Sequence, residues 1–184
     1  MKKFISTVRN IFSIEDLRVR IVNTIGFLII FRLGSFIVLP GVDPSKLGSA
    51  PEGIFGLIDT FLGGAFSNAS IFGLGIMPYI SASIVLQLLT VGVPYFQKMQ
   101  KDGESGRKRI SQITRVLTIV ITVAQGIGYI TATILPTGAV MIDTSLFIFS
   151  SLILLSAGTM FCMWLGEKIT EKGIGNGISM LIMI

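Results

Sequence analysis

The sequence predicts an all-α integral membrane protein, a polytopic bundle of membrane-spanning helices. The first reason is composition: of its 184 residues, 51% are hydrophobic and only 14% are charged, whereas a soluble domain usually carries about 25% charged residues. The second reason is the distribution of the apolar residues, which fall in a few long runs. Much of the surface of the folded chain must therefore face lipid or protein instead of water.

Four apolar runs are long enough to cross the roughly 30 Å hydrocarbon layer of a bilayer, which takes about 20 helical residues. They cover residues 21–39, 71–93, 116–135 and 145–165. A fifth run begins near Ile178, and the chain ends within it at Ile184. Because a protein does not normally stop at the start of a span, we expect residues 1–184 to be one part of a longer protein.

Lysine and arginine are distributed unevenly between these runs. Thirteen of the 15 basic residues lie before the first run, between the second and third, or after the fourth. The alternate loops, residues 40–70 and 136–144, hold only Lys46. Since Lys and Arg are enriched in cytoplasmic loops, this pattern predicts a cytoplasmic N-terminus.

Residues 54–66 form a shorter apolar segment that cannot span a bilayer. One helical face holds Ile54, Leu57, Ile58, Phe61 and Ala65. The pair Gly63-Gly64 gives the segment a flexible end. The residues alone leave two alternatives: a re-entrant helix that fills a cavity in the protein, or a helix at the outer membrane interface.

Four residues within the runs are unusual for a membrane helix. Pro78 removes a backbone donor and frees the carbonyl of Leu74, so we expect a kink there. Arg32 lies about 10 Å from the end of its run at ~1.5 Å per residue, and we expect it to extend to the outer surface. Gln87 and Gln125 are amides that need partners if they are buried in lipid.

The composition argues against catalysis and against a metal or other cofactor. The chain has no histidine and a single cysteine, Cys162, which excludes His/Cys zinc sites and nucleophile–His triads. The glycine-rich stretch GIGNG has no preceding strand, so Asn176 is better explained as a helix cap or a turn residue. Glu167 and Glu171 alternate with lysines and indicate a solvated surface.

Several segments resemble the SecY family of protein-conducting channels, in order and with the family's spacing. The two longest are GLGIMPYISASIVLQLLTVGVP (Gly73–Pro94) and GTMFCMWLGEKITEKGIGNGIS (Gly158–Ser179). The stretches KDGESGRKRISQITR, FRLGSFIVLPGVD and FLGGAFSNASIF are also similar. The resemblance covers essentially the whole chain.

The resemblance implies a ten-span channel in two pseudo-symmetric halves, of which residues 1–184 look like the N-terminal half of the bacterial type. Such a channel passes unfolded polypeptides across the cytoplasmic membrane and releases hydrophobic segments sideways into the bilayer. The implied partners are the SecE and SecG subunits, the SecA motor, the ribosome, polypeptides that carry a signal sequence, and membrane lipids. Two other functions stay open at this point: a solute transporter, and a fragment that competes for SecE.

The resemblance also implies roles for particular residues. An apolar ring at the pore waist would include Ile76, Ile80, Ile178 and Ile182. The plug, a short helix that closes the outer funnel, matches residues 54–66 and would use Leu57, Ile58, Phe61 and Leu62. Gln87 and Gln125 match positions at the lateral gate. The alternatives are that the isoleucines are merely packed or lipid-facing, and that the glutamines form interhelical hydrogen bonds without a gating role.

Overall fold

The computed structural model describes residues 13–47, 54–61 and 63–183, and within these ranges the chain forms helices and no β-strand. The helices are α1 (Glu15–Ser35), α2 (Ile54–Phe61), α3 (Met77–Gly92), α4 (Pro94–Lys101), α5 (Gly103–Tyr129), α6 (Thr144–Lys172) and α7 (Gly177–Met183). A π-helical turn and a 3-10 turn extend α5 through Ile130–Ile134 and Leu135–Thr137, and a further 3-10 turn covers Pro44–Lys46. The predicted all-α fold is confirmed.

Two of the described helices are long and apolar enough to cross a membrane on their own. They are α5 with its extension, Gly103–Thr137 (35 residues), and α6 (29 residues). Helices α3 and α4 qualify as a pair, but they meet at a bend of 99°. That α1 and α3 are the remaining two spans stays a prediction.

The first two apolar runs are not helical throughout, contrary to expectation. Helix α1 ends at Ser35 and α3 begins only at Met77, so residues 36–39 and 71–76 form turns and a short bridge. Val38 pairs with Ser70 in an antiparallel bridge. The Leu39 amide donates to the Ala69 carbonyl at 2.8 Å, and the Ile71 amide donates to the Ile37 carbonyl at 2.9 Å. The two non-helical stretches thus satisfy each other's backbone groups, as burial in a membrane requires.

The kink expected at Pro78 was also wrong. Pro78 lies in the first turn of α3, where a helix needs no intrahelical N–H donor. The carbonyl of Leu74 accepts from the Met77 amide at 3.2 Å. Pro78 therefore marks the beginning of the helix, which the hydrophobic run 71–93 had predicted to begin several residues earlier.

Phe72 connects α1, α6 and the non-helical stretch between α2 and α3. Its ring is stacked on Phe31 and on Phe161, with ring centroids 5.8 Å apart in both pairs. Two glycines allow this close approach: a Cβ on Gly34 would lie 2.0 Å from the Phe72 ring, and a Cβ on Gly158 would lie 2.1 Å from the Ile71 carbonyl oxygen. The stretch 71–76 therefore lies directly against both helices.

The loops that are poor in basic residues meet at one end of the bundle. Val42 forms an antiparallel bridge with Val140, and the Asp43 amide donates to the Ala139 carbonyl at 2.8 Å. At another contact, the Ile174 amide, just after α6, donates to the Thr24 hydroxyl of α1 at 3.0 Å. The start of α1 and the end of α6 therefore lie together, as the alternation of basic and non-basic segments predicts.

Replacing Gly158 tests the close approach at Phe72. We expect Gly158→Ala to lower the free energy of unfolding by about 1–3 kcal/mol, because the added methyl group meets a backbone oxygen that cannot rotate away. The measurement is thermal unfolding of the purified full-length protein in detergent. Gly128→Ala is the matched control, since a Cβ there has no neighbour within 4 Å. Equal melting temperatures for the two variants would contradict the packing argument.

Candidate functional site

Three of the four candidate isoleucines, Ile76, Ile178 and Ile182, belong to or pack against one apolar cluster, and the fourth, Ile80, lies on α3. Ile76 directly precedes α3, and its carbonyl accepts from the Ile80 amide at 3.0 Å. Ile178 and Ile182 lie on α7, which packs closely on α6: a Cβ on Gly177 would be 2.0 Å from the Gly166 carbonyl oxygen. Asn176 caps α7 as expected, because its side-chain oxygen accepts from the amides of Ile178 and Ser179 at 3.1 and 3.3 Å.

These isoleucines differ in burial. Ile76 is only 2% exposed and belongs to the core cluster that also contains Phe31 and Phe72. Ile178 and Ile182 are partly buried against the same cluster, and Ile80 is half-buried on α3. The structure therefore brings Ile76, Ile178 and Ile182 together. Ile76 is more enclosed than a residue that lines an open passage would be.

A polar cavity adjoins this apolar cluster. Its volume is about 800 Å³, and its lining includes Tyr79 of α3, which precedes the candidate Ile80, and the candidate Ile178 of α7. Arg115 of α5 also lines it and donates to both carboxylate oxygens of Glu167 on α6, at 2.8 and 3.0 Å. This interhelical ion pair was missed, because sequence spacing showed only the lysines beside Glu167.

Two further charges line the cavity, the partly buried Lys168 and the exposed Glu171. Lys168 donates to the Glu171 carboxylate at 2.5 Å, and this hydrogen bond together with the charge of Lys168 lowers the pKa of Glu171. The predicted solvated surface is therefore present at the end of α6. Within the described residues, no group of three or more His, Cys, Asp or Glu side chains is placed to hold a metal ion.

The segment matched to a plug is helical over eight residues, Ile54–Phe61, where residues 54–66 were expected. Leu57 is 63% exposed. The side chains of Ile58 and Phe61, and the whole of Leu62, lie outside the part of the chain that the structure describes. After Gly63 and Gly64 the chain turns back into the core, where Ala65 is fully buried.

Asp59 and Tyr129, to which the sequence assigned no role, form hydrogen bonds that hold the chain around Ser67 and Phe66. Asp59 is 7% exposed; it accepts from the Ser67 amide at 2.9 Å and from the Ser67 hydroxyl at 2.7 Å. Tyr129 of α5 donates its hydroxyl to the Phe66 carbonyl at 2.5 Å. No sequence signal indicated either contact, because each joins residues that no local periodicity relates.

Arg32 has a partner that its sequence did not indicate. It is partly buried, and Nη1 donates to the Gly63 carbonyl oxygen at 2.7 Å. The carbonyl lies just beyond the C-terminus of α2, where the helix dipole favours a cation. That the side chain extends to the outer surface stays a prediction.

The two candidate glutamines are both exposed, on α3 and α5. Gln87 donates to the hydroxyl of Ser83, one turn earlier on the same helix, at 3.3 Å. The Gln87 hydrogen bond therefore lies within one helix and does not join two helices. The two amides are not buried against each other. Their role at the lateral gate therefore stays a prediction from the family resemblance.

The SecY family model matches residues 70–184, more than half of the chain. The chain belongs to the SecY family. It is 51% identical over 179 residues to the protein translocase subunit SecY of Escherichia coli K12, an alignment that covers 92% of this chain and 40% of that protein. It is also 51% identical to the SecY of Buchnera aphidicola (subspecies Acyrthosiphon kondoi), with 92% and 50% covered. This SecY-family chain therefore spans half or less of the length of these relatives.

Solved structures show the same fold. Sec61 in a canine ribosome-channel complex from the endoplasmic reticulum superposes with a TM-score of 0.67 at 22% identity, over 90% of this chain and 35% of that one. A SecY structure from work on the plug domain and the closed state of the channel gives a TM-score of 0.60 at 24% identity, over 88% and 33%. These similarities confirm the predicted all-helical fold.

Removing the Tyr129 hydroxyl tests how firmly the segment after α2 is anchored. Tyr129→Phe removes one of two donors to the buried Phe66 carbonyl, which keeps the Ala69 amide at 3.2 Å. We therefore expect a loss of about 0.5–1.5 kcal/mol in unfolding free energy, the net contribution of one hydrogen bond. Thermal unfolding of the full-length protein in detergent measures it. Tyr95→Phe is the control, because Tyr95 is 65% exposed on α4. A melting temperature for Tyr129→Phe as high as the control's would show that the bond contributes nothing.

Proposed function

We propose that this protein is the central subunit of a protein translocation channel. It would pass unfolded polypeptides across the membrane and release hydrophobic segments sideways into the bilayer. The observation that carries the proposal is the apolar isoleucine cluster of α3 and α7 beside a polar cavity of about 800 Å³. A polar vestibule that narrows to apolar side chains is the arrangement that excludes ions by dewetting yet does not bind a passing chain. Membership of the SecY family supports the same function.

Within that channel, Ile76, Ile80, Ile178 and Ile182 would form this half's share of the pore ring. Helix α2 would act as the plug, and Gln87 and Gln125 would border the lateral gate. Both glutamines are exposed, and Ile84 and Val91, one turn on either side of Gln87 on α3, are exposed apolar residues. The helix face that holds Gln87 is therefore available to a second half of the channel. A gate needs such a face, because it must separate when a hydrophobic segment leaves the pore.

The proposed partners follow from the family. They are SecE and SecG, which would brace the helices, and SecA or a ribosome, which would supply the polypeptide. One structural neighbour is a channel bound to a ribosome, which supports the ribosome as a partner. Signal-bearing polypeptides and membrane lipids complete the set.

We also propose a bacterial cytoplasmic membrane location with the N-terminus in the cytoplasm. The segments rich in Lys and Arg indicate which ends of the helices face the cytoplasm. The bridge between Val42 and Val140, and the contact between Thr24 and Ile174, support the grouping of loops that it requires.

Conductance of the full-length complex in planar bilayers tests the pore ring. Replacing Ile80 and Ile182 with Gly should widen and hydrate the constriction, so the resting complex should leak ions while signal-bearing proteins still cross. The matched control replaces Val120 and Ile153, which are 61% and 54% exposed on α5 and α6, because Gly there weakens two helices without opening a path. Near-zero resting conductance in both double variants, with the complexes intact, would reject the ring.

Cysteine labelling in intact cells tests the orientation. An impermeant thiol reagent should modify a cysteine placed at Lys46 and spare one placed at Lys108. Both positions are exposed, but Lys46 lies in a segment predicted to be outside the cell and Lys108 in one predicted to be cytoplasmic. The native Cys162 is 0% exposed and should not interfere. The reverse labelling pattern would place the N-terminus outside.

A further inference from the structure

A glycine pair, Gly63-Gly64, separates α2 from a buried, hydrogen-bonded stretch of chain that leads to α3. Gly63 and Gly64 have φ angles of +60° and +86°, in the left-handed region that residues with a Cβ adopt at a cost. Beyond them, Phe66 is 6% exposed and Ser70 is fully buried. The Tyr129 hydroxyl and the Leu39 amide bind carbonyls of this stretch. Residues 65–70 therefore belong to the fixed core, and the pair is the natural pivot for α2.

One side-chain contact bridges this pivot. Asp59 lies on α2, and Ser67 lies on the fixed stretch; the two Asp59 oxygens accept from the Ser67 amide and hydroxyl at 2.9 and 2.7 Å. Hydrogen bonds to an ionised carboxylate are about twice as strong as neutral ones. Because Asp59 is only 7% exposed, its carboxylate has a strong need for these partners. If α2 swings away about the glycines, both bonds must break.

Arg32 holds the pivot itself. Its guanidinium donates to the Gly63 carbonyl at 2.7 Å, and Gly63 has no Cβ, which would otherwise lie 2.0 Å from Arg32 Nη1. This bond lies on the glycine pair and need not break when α2 moves. A charged side chain within a membrane span is costly unless it has such a partner.

We infer that Asp59 and Ser67 form a latch that keeps α2 seated, and that Arg32 is the fixed point about which α2 pivots when the latch opens. The inference rests on the proposed function of α2 as a plug, and it deepens it by naming the contact that sets how often the plug leaves. Asp59, Ser67 and Arg32 are positioning residues in this scheme. They act by placing a helix and not by touching the translocating chain.

Two readouts on the full-length complex test the latch. The first is the distance between spin labels at Leu57 and Lys46, both exposed, since Lys46 lies in a loop joined to the core. The second is resting conductance in planar bilayers. Asp59→Ala removes both bonds and should populate a second label distance and raise the conductance about ten-fold or more, the shift that follows from losing hydrogen bonds to a charged group.

Graded variants separate a latch from general damage. Ser67→Ala keeps the backbone donor, and Asp59→Asn keeps one acceptor oxygen, so both should give intermediate effects even if Asp59→Ala fails to fold. Asp59→Ala combined with Ser67→Ala should be no worse than Asp59→Ala alone, because the same bonds are lost. Arg32→Met should release the pivot and shift the label distance in the same direction.

The matched control is Asp43→Ala. Asp43 accepts from the amide and hydroxyl of Ser45 at 3.0 and 2.7 Å, so it has the same pair of bonds at a site that bridges no glycine pivot. We expect wild-type distance and conductance for this variant.

Deleting residues 54–61 distinguishes the latch from the plug. If the deletion raises resting conductance but Asp59→Ala, Asp59→Asn and Ser67→Ala all keep the wild-type distance and conductance, the latch is wrong and the plug stands. If the deletion leaves conductance unchanged while Asp59→Ala shifts the label distance, the latch holds α2 but α2 is not a plug. Equal effects of Asp43→Ala and Asp59→Ala would overturn the latch as well.

Discussion

The structure depends on one constraint, the need to pair every backbone N–H and C=O group that is buried at membrane depth. Residues 63–76 run through the interior between α2 and α3 without forming a regular helix. Their backbone groups are paired through successive tight turns, through the stretch 36–39 after α1, and through the Tyr129 hydroxyl. A continuous helix would have met the constraint more simply. The irregular path meets it only because the stretch 36–39 and α5 also supply partners.

That irregular path positions the candidate site. It carries Phe72 between Phe31 and Phe161, places Ile76 at the very start of α3, and ends α2 at a glycine pair beside Arg32. Close packing at Gly34 and Gly158 leaves no space for a side chain to replace these contacts. The apolar cluster is therefore held rigidly from one side. The side-chain contacts described between α2 and the stretch after it are the hydrogen bonds of Asp59 to Ser67, and such bonds can open without dismantling the core, as the proposed latch requires.

The sequence predicted more of the architecture than of the site. Hydrophobic runs located α5 and α6 well, because long apolar helices depend on local composition alone. The same rule failed at 36–39 and 71–76, where apolar residues are buried by pairing with each other instead of by helix formation. Pro78 gave a real signal that was assigned to the wrong structure, since a proline inside an apolar run is compatible with a kink and with a helix start. The contacts of Asp59, Tyr129 and Arg115 could not be predicted, because each partner is set by how the elements pack.

By itself, the sequence determined the all-α membrane class, the alternation of basic and non-basic segments, the capping of α7 by Asn176, and, through its motifs, the SecY family. These properties depend on composition, on spacing within one helix, or on residues close in the chain, so they need no knowledge of the fold. Only the tertiary structure decided that Ile76 is enclosed, that Gln87 and Gln125 are exposed, and that Arg32 binds the Gly63 carbonyl. Burial and long-range hydrogen bonds depend on which distant elements meet, and that is settled by packing and by the pairing of backbone groups away from water.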